Sequence, residues 1–347
     1  MGDGAHGRIK LMGRQCYIIA EAGVNHNGSP ELARELISVA AGAGADAVKF
    51  QTFKAEQLVT GEAKKAAYQD AALGGKGGQL EMLKRLELNA GMHQELSDFS
   101  KGKGIQFLST AFDLESLSML NDLGLPIFKI PSGEITNFQL LEAVAKLGKP
   151  VVLSTGMADL GEIEEAIEVM LASGSARADL TVLHCTTAYP TPVEEVNLKA
   201  MLTIGAAFPG VAIGYSDHTL GIAVPLAAAA LGARVIEKHI TLDKGMEGPD
   251  HRASLEPVEL KEMVRGIREV ELALGHGRKE PTRSESLNMT AARKSLVAAR
   301  RIEKGEKFCE RNVTMKRPGG GMSPMEWPRV MGVRANRDFE ADEMITL

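Results

Sequence analysis

Short β-branched and apolar runs alternate with amphipathic helical patterns along most of the chain, and this alternation narrows the possible folds more than any other feature. The strand-like runs lie at 17–21, 47–51, 105–109, 127–130, 151–154, 180–184, 211–215 and 234–239. Helical periodicity follows at 30–43, 114–123, 138–147, 161–171, 198–208, 222–231 and 257–274. Strands that are apolar throughout rather than alternating are covered on both faces, as in a parallel sheet. Eight strands alternating with helices predict a closed (β/α)8 TIM barrel. A doubly wound open sheet is the alternative, but no GxGxxG turn follows any of the strands.

Two stretches break the alternation. Residues 52–79 form a long polar connection after the second strand, Gly-rich at 74–78, and it reads as a lid or binding loop on the active face. From 276 to 288 the pattern turns polar and reads as a linker. The expected division is therefore a catalytic barrel at 1–275, a linker at 276–288 and a small β-rich domain at 289–347, with strand-like 295–298, a turn at 304–306 and the loop Pro318-Gly319-Gly320-Gly321. A domain of that size has a marginal core and is expected to dock on something.

Composition excludes several classes. Lys and Arg total 40 against 45 Asp and Glu, a formal charge of −5, which argues against nonspecific nucleic-acid or membrane-surface binding. The 3 cysteines, Cys16, Cys185 and Cys309, form neither a disulfide framework nor a paired zinc spacing and suit a reducing compartment. Residues 1–12 carry no apolar signal core, and the apolar run 222–233 is too short to span a bilayer. A cytoplasmic location is expected.

In a barrel the polar residues at the C-terminal strand ends face the active site. All eight ends offer them: Glu21; Lys49 and Gln51; Ser109 and Thr110; Lys129; Ser154 and Thr155; His184 and Thr187; Ser216, Asp217 and His218; Glu237 and His239. Buried ionised groups are costly unless paired, so Glu21, Lys49, Lys129 and Glu237 imply a site or a closed ring of internal salt bridges. His218 and His239 end neighbouring strands about 4.8 Å apart. Together they could grip one divalent metal, and the oxygen-rich setting favours Mn²⁺ or Mg²⁺ over structural zinc. Either could instead be a satisfied core histidine. Lys49, Lys129, Ser132, Ser154 and Ser216 make a cationic, hydroxyl-rich patch suited to a phosphate. A lysine Schiff base, as in barrel aldolases, is the competing chemistry. Cys185 reads as a small buried residue. The loop after Lys316-Arg317 reads as a solvated turn or as an arginine presented to a ligand.

The motifs Ile18-Ile19-Ala20-Glu21-Ala22-Gly23-Val24-Asn25-His26-Asn27-Gly28, Val48-Lys49-Phe50-Gln51-Thr52-Phe53, Lys129-Ile130-Pro131-Ser132-Gly133-Glu134, Ser154-Thr155-Gly156-Met157, Gly214-Tyr215-Ser216-Asp217-His218-Thr219, Glu237-Lys238-His239, Gly248-Pro249-Asp250-His251 and Lys316-Arg317-Pro318-Gly319 resemble the bacterial sialic acid synthase family, in order, from about residue 15 onward. The resemblance implies a barrel joined to a C-terminal antifreeze-like (SAF) domain. It also implies condensation of phosphoenolpyruvate with the open-chain aldehyde of an N-acetylmannosamine-type sugar, giving a nine-carbon 2-keto acid and phosphate. By match, phosphoenolpyruvate would be held by Lys49, Thr110, Lys129, Ser132, Ser154 and Ser216, and by Thr187 where the family often has Asn. The metal would be held by His218 and His239. Gln51, Glu134, Tyr189 and Asp250 would line the sugar site, with Glu21. Arg317 would reach the acetamido group from the other subunit of a domain-swapped homodimer. Glu21, Lys49, Asp217 and Glu237 are the candidate catalytic groups. The runs Cys185-Thr186-Thr187-Ala188-Tyr189-Pro190, Asn197-Leu198-Lys199-Ala200-Met201 and Ser132-Gly133-Glu134-Ile135-Thr136-Asn137 look most like the legionaminate branch, whose acceptor is a 2,4-diacetamido-2,4,6-trideoxymannose. The N-acetylneuraminate and pseudaminate synthases are the alternatives.

Overall fold

The computed structural model describes residues 15–73 and 77–347. The readings made on 1–12 and on Gly74, Gly75 and Lys76 lie outside the described residues. The chain divides into two compact units, one ending at Gly275 and the other spanning His276–Leu347.

The first unit is a closed barrel of eight parallel strands in sequential order, as the alternation predicts. They are β1 (Tyr17–Gly23), β2 (Ala47–Thr52), β3 (Gln106–Ala111), β4 (Phe128–Ile130), β5 (Val151–Ser154), β6 (Leu180–Cys185), β7 (Ala212–Asp217) and β8 (Val235–His239). The sequence stops the helices as clearly as it starts the strands. α1 (Pro30–Ala43) begins with Pro30 in its first turn and Ser29 accepting the Leu32 N–H, and ends at Gly44 in the left-handed region, φ 82°.

The connection after β2 departs from the predicted loop. It carries α2 (Ala55–Leu58), α3 (Ala67–Leu73), α4 (Gln79–Leu86) and then α5 (Ala90–Lys103), the barrel helix of the second repeat, capped by Asn89 on the Met92 N–H. The remaining barrel helices are α6 (Leu114–Asp122), α7 (Phe138–Lys146), α8 (Leu160–Ala172), α9 (Lys199–Ala207), α10 (Ala223–Ala230) and α11 (Pro257–Leu274).

Two apolar layers hold this unit together. The larger lies between the outward strand faces (Ile18, Val48, Phe50, Phe107, Val151, Ile236) and the helices. The smaller fills the barrel's interior with Ile19, Ala47, Leu108, Ile127, Val152, Leu183 and Val235. Gly214 supplies the β7 position of that layer, because a Cβ there would strike the Val235 carbonyl and the Leu183 side chain. A third cluster, Val24, Phe53, Ala55, Leu83 and Leu86, is built largely by the β2 excursion.

In the second unit, α12 (Arg283–Ala292) begins inside the stretch read as a linker. Thr282 and Glu285 form a capping box there. β9 (Ser295–Ala298) and β10 (Val313–Lys316) pair antiparallel. With α13 (Trp327–Val330) and irregular segments they enclose a core of Leu296, Ile302, Phe308, Val313, Val330, Phe339 and Ile345. Among the described residues no helix is long and apolar enough to cross a membrane.

Candidate active site

Side chains two residues apart on a strand share a face. Two residues beyond the apolar interior layer, each strand therefore presents one further inward side chain: Glu21, Lys49, Thr110, Lys129, Ser154, Cys185, Ser216 and Glu237. All eight line one cavity of about 340 Å³. The next inward step adds Gln51 and His239. The loops beyond the strands add Ser132, Glu134, Thr187, Tyr189, His218 and Asp250. Of the strand-end residues offered by the sequence, Asp217, Ser109, Thr155 and His184 do not line this cavity; the other sequence-predicted site residues of the barrel do.

The charges at its base form one network. Lys49 Nζ lies 2.6 Å from Glu21 Oε2 and 3.6 Å from Glu237 Oε2, while Lys129 Nζ lies 3.4 Å from Glu237 Oε1. Lys49 also donates to Thr110 Oγ1 at 2.9 Å, Ser216 to Glu237 Oε1 at 3.0 Å and Gln51 to Glu21 Oε1 at 3.2 Å. The two carboxylates titrate apart. Burial pushes Glu21 up to about 7, with Lys49 pulling down and Glu237 pushing up. Burial also raises Glu237, but Lys129 and Lys49 outweigh it and hold that carboxyl at about 2. Burial pushes Asp250 up to about 6. Glu237 is thus an anion throughout the neutral range, and Glu21 can exchange a proton within it.

A cradle of hydroxyls closes one side. Ser132 Oγ accepts the Gly156 N–H at 2.9 Å, and a Cβ at Gly156 would collide with Ser132 Oγ and Thr187 Oγ1. Ser154 Oγ is buried without a hydrogen-bond partner. With Lys129 these groups can hold a phosphate through directed donors and a point charge.

The imidazoles of His218 and His239 lie 5.3 Å apart between ring centroids. His218 Nδ1 is 2.7 Å from the Thr186 carbonyl, which can only accept, so Nδ1 carries the proton and Nε2 is left as a donor to a ligand. His239 Nδ1 is buried without a hydrogen-bond partner, 3.8 Å from Asp250 Oδ2. Burial and His218 drive His239 well below the ordinary histidine range, which keeps its imidazole neutral. Two imidazole nitrogens beside carboxylates are a donor set that fits a divalent ion. Among the described residues no group of three or more His, Cys, Asp or Glu could hold one alone, so the remaining positions would fall to water and substrate oxygens. Tyr189 packs over both rings, at 4.0 Å and 5.7 Å, and stacks on Tyr68 of α3 at 4.9 Å.

Several expectations are corrected. Asp217 does not face the cavity. It ends β7 on the opposite parity to Ser216, points outward and pairs with Lys238 in full burial. Ser109 also points outward and bonds Thr52 Oγ1 at 2.7 Å, while Thr155 and His184 bond the Leu183 and Val196 carbonyls. Conversely, Cys185 lines the cavity, its Sγ 3.9 Å from His218 Nδ1. Its even spacing from Leu183 was the available signal. Tyr68, Leu58, Val59, Met82, Leu83 and Leu86 from the β2 excursion were also missed; they give the cavity an apolar wall. Arg317 belongs to the second unit. It is exposed and follows β10 at the head of a loop pinned by Ser295, which donates to the Pro318 carbonyl at 2.8 Å and accepts the Gly321 N–H at 3.0 Å.

Fold and cavity together define a (β/α)8-barrel enzyme whose polar strand ends converge on one site. Residues 36–279 match the NeuB family and residues 293–347 the SAF domain. The chain belongs to the NeuB family, as the resemblance implied. It is 54% identical over 332 residues to the N,N'-diacetyllegionaminic acid synthase of Campylobacter jejuni, covering 96% of this chain and 99% of that one. It is 46% identical over 328 residues to the enzyme of the same name from Legionella pneumophila, covering 94% and 92%. Among solved structures it is similar to the N-acetylneuraminic acid (sialic acid) synthetase of Leptospira borgpetersenii, at a TM-score of 0.69 and 37% identity over 79% of this chain and 90% of that one.

Proposed function

We propose that the protein is a nonulosonic acid synthase that condenses phosphoenolpyruvate with the open-chain aldehyde of 2,4-diacetamido-2,4,6-trideoxymannose to give N,N'-diacetyllegionaminate and phosphate. The observation that carries the reading is the ring of inward polar residues, in which a hydroxyl-and-lysine cradle faces two imidazoles across the carboxylates of Glu21 and Glu237. Lys129, Ser132, Ser154, Thr187 and Ser216 bind the phosphate, and Lys49 and Thr110 orient the enol carboxylate. Gln51, Glu134, Tyr189 and Asp250 bind the sugar. His218 and His239 would hold Mn²⁺ or Mg²⁺, which supplies Lewis-acid polarisation of a carbonyl oxygen when bound.

In the reaction, the C2=C3 π pair of phosphoenolpyruvate forms the bond from C3 to the aldehyde carbon, leaving an alkoxide there and positive charge at C2. Water adds at C2, Glu21 takes one of its protons and returns it to the alkoxide, and the C2–O bond to the phosphoryl group then breaks as the new C2 hydroxyl gives its proton to the departing phosphate and becomes the keto oxygen. Glu237 stays anionic and fixes both lysines. The apolar side chains of the β2 excursion, Leu58, Val59, Met82, Leu83 and Leu86, support the acceptor assignment, since they can bury a C6 methyl and acetyl methyls. Arg317 of a second copy, in a domain-swapped homodimer, meets the acetamido group. The three unpaired cysteines support a cytoplasmic setting.

The test is phosphate release from phosphoenolpyruvate with the two acceptors in ¹⁸O-labelled water. Label in the sugar acid, with the diacetamido sugar preferred, is expected. Label in the phosphate would overturn the mechanism, and a predominance of N-acetylneuraminate from an equal mixture would overturn the acceptor assignment.

A further inference from the structure

Asp217 and Lys238 each stand one residue before a cavity histidine, and the two lie opposite one another in the register of β7 and β8. Strand parity sends them outward while Ser216, Glu237 and His239 point in. On the outer face their side chains meet at 2.5 Å, both fully shielded from solvent. Thr219 completes the knot. Its N–H and hydroxyl donate to Asp217 at 3.1 Å and 3.0 Å, and Lys238 donates to its carbonyl.

The location of this pair is informative. Most other outward strand positions are hydrocarbon, such as Ile18, Val48, Phe50, Ile130 and Ile236, and the polar exceptions Thr52, Ser109 and His184 carry neither a carboxylate nor an ammonium. A buried ion pair gains little stability over packed apolar residues of the same volume, because desolvation offsets the attraction. What it supplies and hydrocarbon does not is a directional link of fixed length between two chosen points. The β7–β8 pairing also ends at Asp217 and Lys238. His218 lies beyond the last paired residue. Its backbone is tied toward β6 by the Thr191 N–H on its carbonyl at 2.9 Å, and toward β8 by the knot beside it.

We infer that Asp217 and Lys238, through Thr219, are positioning residues that set the separation of His218 and His239 from behind the barrel wall, and so tune affinity for a divalent cation. The inference rests on the reading that those two imidazoles hold the metal. It also gives the triplets Ser216-Asp217-His218 and Glu237-Lys238-His239 a common logic: outer residues face the cavity, and middle residues lock the strands.

The test measures Mn²⁺ affinity of the full chain by electron paramagnetic resonance of the free ion, without turnover, and inorganic phosphate affinity by calorimetry. His218→Ala is expected to abolish Mn²⁺ binding and so locates it. The double variant Asp217→Leu with Lys238→Met, which removes both charges together, is expected to weaken Mn²⁺ binding about 10- to 100-fold and to leave phosphate affinity within about twofold. Lys238→Arg keeps the charge and changes the length of the link, and is expected to cost Mn²⁺ affinity about 3- to 10-fold if the double variant does not fold. Wild-type Mn²⁺ affinity in either folded variant would overturn the inference and leave the proposed function standing. Absence of His218-dependent Mn²⁺ binding in the wild type would overturn the metal reading and this inference together.

Discussion

Lys129 and Lys49 share Glu237, yet their surroundings differ. Lys49 has Glu21 to itself at 2.6 Å, whereas Lys129 has only the shared carboxylate at 3.4 Å, and burial pulls its ammonium below the ordinary lysine range. A phosphate would give Lys129 the anion it lacks. Lys129→Met is expected to lower kcat/KM for phosphoenolpyruvate by about 10²–10³-fold, which steady-state kinetics at saturating acceptor would measure. His26 carries a second residue-scale consequence. Its Nδ1 accepts the Gly28 N–H at 3.0 Å, and burial pushes its pKa down to about 4. The unfolded chain binds that proton near 6.5 and the folded chain only near 4, so the contribution is complete above 6.5 and falls as pH drops toward 4. Between pH 7 and 5 His26 alone is expected to remove about 2 kcal/mol of barrel stability. Urea unfolding of the His26→Asn variant, whose amide oxygen can still accept the Gly28 N–H, should show a shallower loss over that range. An unchanged slope would contradict the assignment.

At the scale of elements, the sequence reading succeeded where one period dominates and failed where two compete. The barrel strands and α1 carry uniform patterns, and their bounds were legible to within a residue or two. Asp217 was misassigned because charge was read without parity: a polar residue at a strand end faces the cavity only when it is an even number of residues from the apolar interior layer. Lys49, Lys129 and Glu237 satisfy that count from Ala47, Ile127 and Val235, and Cys185 satisfies it from Leu183. Residues 52–86 were illegible for another reason. Helices as short as α2 and α3 have too few turns to show a 3.6-residue period, and the apolar residues that α2 and α4 bring to the cavity are separated in sequence by polar stretches. That excursion carries the acceptor prediction. Met82 is partly buried in its apolar wall. Met82→Gln preserves length but adds an amide, and one buried methyl is worth about 0.8 kcal/mol, roughly fourfold. The preference for the diacetamido sugar over N-acetylmannosamine is expected to fall about three- to tenfold, measured by competing the two acceptors in one tube. An unchanged ratio would place the acceptor's methyl groups elsewhere.

For the whole molecule, the question is why a catalytic barrel carries a second folded unit. Each has its own core, and the smaller one closes around Leu296, Phe308 and Phe339. The smaller unit also displays Arg317 at the head of a loop whose backbone is held at Pro318 and Gly321 by Ser295. An exposed guanidinium is suited to a planar, directional acceptor such as an acetamido carbonyl. If Arg317 serves the barrel of a second copy, the two sites of a homodimer become separable by mutation. Arg317→Ala subunits keep an intact barrel but give nothing to their neighbour, and Lys129→Met subunits have a damaged barrel but an intact arginine. In a mixed dimer the first subunit's barrel receives the second subunit's arginine, so one site has both residues and the other has neither. Random exchange makes about half the dimers mixed, and about one quarter of all sites should recover. If Arg317 served its own barrel, every site in the mixture would lack one of the two. The measurement is phosphate release from each inactive variant alone and after verified subunit exchange. Activity near a quarter of wild type is expected, and none above the separate variants would show that the arginine does not cross between subunits.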